Sequence, residues 1–329
     1  MNNFGILFRL SIFGESHGNA VGVVIDGFPA GIVIGEEDFA IDLERRKGSN
    51  QAGTTPRKEE DKPVLLTGIF NGKSTGAPIT IIFENKNLRS QDYEKQKEIS
   101  RPGHADFVAQ KKFKGFQDYR GGGHFSGRLT LCLVAAGVLA KKVLHIIYPQ
   151  LSIEAKLIEL GAEKNIEIGL QKALAANDSV GGIVECIAHP LPIGLGEPFF
   201  NSVESLLSHA IFSIPAIKGI EFGSGFGAAK MQGSKHNDPI TDASGKTTSN
   251  NAGGITGGIS NGNPLVFRVA VKPASSTPQQ QNSLNISTGK MEDFTISGRH
   301  DLAIALRVPV VVEAVTACVL LDLSLFNRQ

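Results

Sequence analysis

Residues 128–147, "RLTLCLVAAGVLAKKVLHII", decide the fold. The segment is apolar nearly all round, and a helix with no polar side belongs in an interior and not on a surface. Residues 307–326, "RVPVVVEAVTACVLLDLSLF", close the chain with a second apolar helix. Strand signals lie elsewhere in the chain. "AVGVVIDGFP" (20–29) is β-branched and bounded by turn residues, and "KPVLLTGIFNGKSTGAPITIIFEN" (62–85) reads as two strands joined by a glycine-containing loop. "LVFRVAVKP" (265–273) is another strand, and residues 150–178 read as a charged amphipathic region. "GEEDFAIDLERRKG" (35–48) has helical spacing and ends in cations, as a helix C-terminus prefers. Strands and helices do not alternate strictly, which predicts an α+β layered fold with helices packed on antiparallel sheets, not a doubly wound parallel sheet. "SVGGIVECIAHPLPIGLG" (179–196) echoes residues 20–33: an apolar strand, a Pro and Gly turn, then an acidic residue opening a helix. The echo points to two related halves. Residues 219–263 are glycine-rich and polar, and a loop of that length is either functional or disordered.

Composition narrows the class. A chain of 329 residues is long enough for a large core, and 33 basic against 32 acidic residues leave a net charge of +1. No overall field recruits nucleic acid or an anionic membrane. Cys132, Cys186 and Cys318 are far apart in apolar runs, which reads as small buried hydrophobes in a reducing compartment. Lys141, Lys142 and Asp322 interrupt the best candidates for a membrane span, and the first residues lack a basic region and a cleavage site; the expectation is a cytoplasmic protein. Eight of the 12 arginines fall at or before Arg128 and the next is Arg268. The early ones coincide with glycine-rich polar motifs, where planar recognition of carboxylate or phosphate is needed.

Those motifs carry the chemistry, each with two readings. "FGESHG" (13–18) places Glu15, Ser16 and His17 between glycines; it is either a polar turn or a close-approach ligand site, and it is not a hydrolase elbow. "RPGHADF" (101–107) supplies Arg101, His104 and Asp106, with His104 either a general acid or a solvated loop residue. "SGRHD" (297–301) puts Asp301 before the last helix, as a cap or as a base. "DYRGGGHFSGRLT" (118–130) has the glycines of an anion cradle, yet no nucleotide fingerprint surrounds it. His17, His104 and His124 fit no zinc spacing, so no metal is expected. The residues alone describe an enzyme with an arginine- and histidine-rich site for a small polyanion.

In order along the chain, "FGESHG", "DGFPAGI", "DLERRKG", "STGAPI", "LRSQDY", "RPGHADF", "DYRGGG", "KGIEFGSGF", "NNAGGITGGISNG", "KPASS" and "GRHD" resemble the chorismate synthase family, from about residue 4 to 320. The resemblance implies one domain over residues 1–329, a sandwich of helices between antiparallel sheets, and a homotetramer. It implies a lyase that eliminates phosphate from 5-enolpyruvylshikimate 3-phosphate to give chorismate, with reduced FMN as cofactor and NADPH as a candidate reductant. By the same resemblance His17 protonates the departing phosphate, His104 protonates near the flavin, and Asp301 works beside flavin N5 as a base. Arg45, Arg46, Arg57, Arg101 and Arg128 would bind substrate, and Arg46 would also meet NADPH. FMN would contact His124, Phe125, Ser126, Ala216, Gly257, Lys272, Pro273, Ala274, Ser275, Ser276 and Arg299.

The chain departs from the family pattern at named places. His124-Phe125-Ser126-Gly127-Arg128-Leu129-Thr130 stands for the usual Arg-Ser-Ser-Ala-Arg-Glu-Thr. Pro215 replaces a frequent Asn, Ala52 an arginine associated with NADPH or anions, and Leu302-Ala303 the usual Pro-Cys. Two rival readings are a redox-active FMN enzyme and a silent flavin-binding module. The retained His17, His104, Arg128 and Asp301 weigh against silence.

Overall fold

The segment at 130–147 is a helix, α3 (Thr130–Ile147), buried along almost its whole length. It crosses the closing helix, α7 (Val308–Phe326), at Gly137, where an added Cβ would come within 2.3 Å of the Ala314 Cβ. Only a glycine allows the two backbones this near. Pro309 fits the first turn of α7, where its missing N–H costs nothing. The computed structural model describes residues 2–47, 52–54, 60–86, 98–296 and 301–327.

Two antiparallel sheets cover this helix pair. The first has the order β1-β2-β3-β7-β4, from β1 (Asn3–Phe4), β2 (Arg9–Gly14), β3 (Ala20–Asp26), β4 (Val64–Thr67) and β7 (Ile79–Glu84). The second has the order β10-β13-β9-β8, from β8 (Ser152–Leu160), β9 (Gly182–His189), β10 (Ile217–Phe222) and β13 (Leu265–Val271). Strand β7 buries Ile79, Ile81 and Phe83, and β13 buries Leu265, Phe267, Val269 and Val271, the period of two expected of a sheet face on a core. Helix α3 lies on β3 and β7, while α7 lies on β8 and β9, so the layers run sheet, helix, helix, sheet. The α+β sandwich with two related halves is the observed fold. The echo holds in place: β3 leads through a turn to α1 (Ala40–Lys47), and β9 leads through another to α5 (Val203–Ile211).

Smaller pieces decorate the frame. A ribbon of β5 (Ile69–Phe70) and β6 (Lys73–Ser74) fills the loop between β4 and β7, and α2 (Asp106–Lys112) follows the 101–105 turn. The stretch read as amphipathic at 150–178 is β8 plus a helix, α4 (Ile166–Ala176), capped by Asn165. Residues 219–263 start inside β10 and are ordered, with α6 (Gly233–His236) and a hairpin of β11 (Ile255–Thr256) and β12 (Ile259–Ser260). Asp238 ties this loop, accepting from Ser249 Oγ and from the N–H groups of Asn251 and Ala252. A last hairpin joins β14 (Gln281–Asn285) and β15 (Lys290–Phe294).

One expectation needs correction. By length and composition alone, residues 120–147 and 304–326 are both apolar enough to cross a membrane. The interrupting charges do not disqualify them; instead 72% and 78% of their apolar windows are buried inside the protein, as in core helices. The interrupting groups turn out to be fasteners. Asp322 accepts from the backbone N–H groups of Ile6, Leu7 and Phe8 at 2.9, 2.7 and 2.8 Å. Lys141 reaches Asp42 and the buried Glu313. The three cysteines are buried as read, and burial pushes the thiols of Cys132 and Cys186 up to about 12.

Candidate active site

Both central helices begin at one cavity of about 1100 Å³. The short turn Gly127–Leu129 leads into α3, and Ile304–Arg307 leads into α7. Leu129 and Thr130 at the start of one helix, and Arg307 and Val308 at the start of the other, line the cavity. Helix N-termini carry partial positive charge, so this end of the layer favours anions.

Two buried charge groups face the space. In the first, Arg46 and Arg128 share Asp61: Arg46 Nη1 donates to Oδ2 at 3.2 Å, and Arg128 Nη1 donates to Oδ1 at 3.0 Å. Arg46 also donates to Thr130 Oγ1 and the Gly127 carbonyl, while Arg128 donates to Asn85 Oδ1 and the Glu84 carbonyl. Burial pushes the Arg46 guanidinium down to about 10, against the attraction of Asp61 and with the repulsion of Arg307 and Arg128. In the second group, Arg101 grips Asp106 through Nε at 2.7 Å and Nη2 at 2.8 Å, and donates to Ser276 Oγ. His104 Nδ1 lies 2.5 Å from Asp106 Oδ1, and Arg101 Nη2 lies 3.0 Å from Nδ1 and 3.3 Å from Nε2. The carboxylate can only accept, so a hydrogen on Nδ1 suits Asp106. Burial raises the Asp106 carboxyl, but the hydrogen bonds from Arg101 and His104 outweigh it and hold the group well below the usual carboxylate range.

The triple glycine joins these pieces. Gly121, Gly122 and Gly123 have φ of 58°, 83° and 52°, a path open to glycine and strained for other residues. A Cβ at Gly121 would lie 2.4 Å from the His17 ring, and one at Gly122 would lie 3.1 Å from His104 Cε1. The Gly123 carbonyl accepts the Ser16 N–H at 3.0 Å, which fastens "FGESHG" to "DYRGGG". Arg120 is held by Asp118 through two side-chain bonds of 2.8 Å and so braces the turn. The glycines therefore seat two histidines.

Residues 8–325 match the family described as chorismate synthase. The chain is 65% identical over 329 residues to chorismate synthase of Chitinophaga pinensis, covering 100% of this chain and 98% of that one. It is 47% identical to the enzyme of Dehalococcoides mccartyi, covering 98% and 96%. A crystal structure of chorismate synthase superposes with a TM-score of 0.75 at 26% identity, over 98% of this chain and 93% of that one.

The chain belongs to the chorismate synthase family. Chorismate synthases are lyases of the shikimate pathway that leads to aromatic amino acids, so an enzyme of that class is what the ordered motifs announced.

Most residues that the family pattern nominates do meet here. Arg46, Arg101, His104, Arg128 and Asp301 line the cavity, as do His124, Phe125, Ser126, Ala216 and Lys272 through Ser276. His17 is 3% exposed and sits behind Gly121. His124 donates from Nδ1 to the Gly14 carbonyl at 2.8 Å, and Ser126 caps the turn before α3 by accepting the Arg128 N–H. Lys272 donates to Ser275 Oγ and to the Gly103 carbonyl; burial and the neighbouring Lys218 lower its pKa. Asp301 accepts from Arg307.

Three nominated residues lie outside the cavity lining: His17, buried behind Gly121, and Arg45 and Gly257. Arg45 does not line the cavity: successive helical residues point about 100° apart, so Arg45 and Arg46 cannot face the same way. Its guanidinium instead makes two 2.7 Å bonds to Glu313. Gly257 occupies the turn between β11 and β12 with φ of 64°, where a tight hairpin calls for glycine, and it is outside the cavity lining. Arg57 and Arg299 lie outside the described residues. Sequence reasoning missed Asp61, Asn85, Thr130 and Arg307. Only Arg307 had a signal: it precedes the second apolar run as Arg128 precedes the first.

Proposed function

We propose that this cavity binds 5-enolpyruvylshikimate 3-phosphate beside reduced FMN and releases phosphate from it to give chorismate. The observation that carries the reading is the meeting of an Arg46–Arg128 pair, His104 and Asp301 where two helix N-termini converge, with His17 buried behind Gly121. A substrate with one phosphate and two carboxylates needs several guanidiniums, and their forks match oxyanions. The cavity is roomy enough for a flavin mononucleotide and a small ring acid together. Lys272, Ser275 and Ser276 supply a cation and hydroxyls on one wall, and Phe125 an aromatic face, a donor set that suits FMN. The chemistry that a bound reduced flavin supplies is transient electron donation while the C–O bond breaks.

The chain's own work is orientation and proton handling. Arg46 and Arg128 hold substrate oxyanions, with the helix ends adding to their field. His17, seated behind Gly121, gives a proton to the departing phosphate. His104 keeps its orientation from Asp106 and Arg101 and serves the flavin side. Asp301 takes the ring proton, with Arg307 fixing its carboxylate. The chain acts as one domain over residues 1–329, in the cytoplasm and as a homotetramer, with NADPH the reductant to be tested.

One assay decides. Purified protein is incubated anaerobically with dithionite-reduced FMN and 5-enolpyruvylshikimate 3-phosphate, and chorismate and phosphate are measured. Equal amounts of both are expected; no product overturns the reading. Oxidised FMN plus NADPH in the same assay tests self-reduction.

A further inference from the structure

Asp61 is the most deeply buried member of its group, with a side chain 2% exposed against 9% for Arg46 and 7% for Arg128. Each carboxylate oxygen takes one arginine. Arg46 also donates to Thr130 Oγ1 and the Gly127 carbonyl, and Arg128 to Asn85 Oδ1 and the Glu84 carbonyl, which are neutral acceptors. Neutral acceptors set direction without cancelling charge, whereas Asp61 offsets charge on both guanidiniums at once. Its backbone has φ of 50°, and it lies just ahead of β4.

We propose that Asp61 is a positioning residue: a built-in counter-ion that holds Arg46 and Arg128 as one anion receptor and sets how tightly that receptor grips. One carboxylate shared by two guanidiniums lowers their summed charge by one unit, which loosens the grip on an oxyanion and lets it leave. Without Asp61 the same pair is more positive by one unit and retains a dianion such as released phosphate. The inference rests on the polyanion reading above, but its test does not need substrate turnover.

Binding of inorganic phosphate to the full-length protein without flavin is measured by calorimetry for wild type, Asp61→Asn and Asp61→Glu. Asp61→Asn is expected to bind phosphate about tenfold tighter, the effect of removing one nearby unit charge in a partly screened interior. Asp61→Glu keeps the charge and is expected to stay within about twofold of wild type for phosphate, while kcat falls as the fork is displaced. In turnover, Asp61→Asn is expected to lose kcat without a rise in KM and to be inhibited by correspondingly lower phosphate. Should Asp61→Asn fold only with anion present, a melting temperature rising more steeply with phosphate than in wild type supports the counter-ion role. Unchanged or weaker phosphate binding in Asp61→Asn overturns it, as does a variant that stays unfolded at every phosphate concentration, or Asp61→Glu with wild-type kcat. Wild-type protein that binds phosphate but yields no chorismate would sink the functional reading and leave the role of Asp61 standing.

Discussion

Gly122 lies against His104, so an added methyl group would press on the ring. Its φ of 83° already strains any other residue, and a methyl group there would sit 3.1 Å from the imidazole. Gly115 has the same φ of 83° with nothing within 4 Å of an added Cβ, and it is outside the cavity lining. The pair separates backbone strain from ring displacement. Gly115→Ala is expected to lose about 1–2 kcal/mol of stability and keep its turnover. Gly122→Ala is expected to lose the same stability and, in addition, about tenfold or more in kcat, since small misplacements of an acid–base group are costly. Steady-state kinetics and thermal melts on both variants check this; equal kcat in the two would detach His104 from the chemistry.

At the level of elements, the contact of α3 with α7 at Gly137 and Ala314 is the tightest test of the layered core. Gly137→Val puts branched carbon where only 2.3 Å is available, and overpacking of that kind costs about 1–3 kcal/mol or more. Lower stability to urea is the expected result, with loss of activity following only as the helices, and with them Arg128 and Arg307, shift at the cavity. The two helices were legible in sequence because burial on every side leaves no polar stripe. Strand β8 was not, since Glu154, Lys156 and Glu159 give it charges that read as well on a helix, and only Ala155 and Leu160 are buried. The site divides likewise. His104 and Arg128 announce themselves among glycines, whereas Asp61 sits in "KEEDKP", a run indistinguishable from solvated surface. Its role arises from bonds to residues 15 and 67 positions away, which no local pattern encodes.

For the whole molecule, Glu313 is the junction of the layers. From α7 it binds Arg45 of α1, Lys141 of α3 and the Ala155 N–H of β8. Arg45→Met removes part of this junction and is expected to cost about 1–3 kcal/mol, discounted because the arginine is partly exposed. KM for substrate is expected to stay within about twofold of wild type, because the side chain faces away from the cavity. A KM raised as far as in Arg46→Met would restore Arg45 to the substrate site. The two halves also repeat a chemical theme: each long helix is preceded by an arginine paired with an aspartate, Arg128 with Asp61 and Arg307 with Asp301. The cavity is where the two copies of that theme face each other. A different consequence follows from Asp322, whose carboxylate holds three N–H groups at the start of the chain. During synthesis the turn between β1 and β2 emerges well before its clasp, which is more than 300 residues further along. A nascent chain therefore carries an unfinished sheet edge until α7 has been made, and closure of that edge is timed by the arrival of one carboxylate.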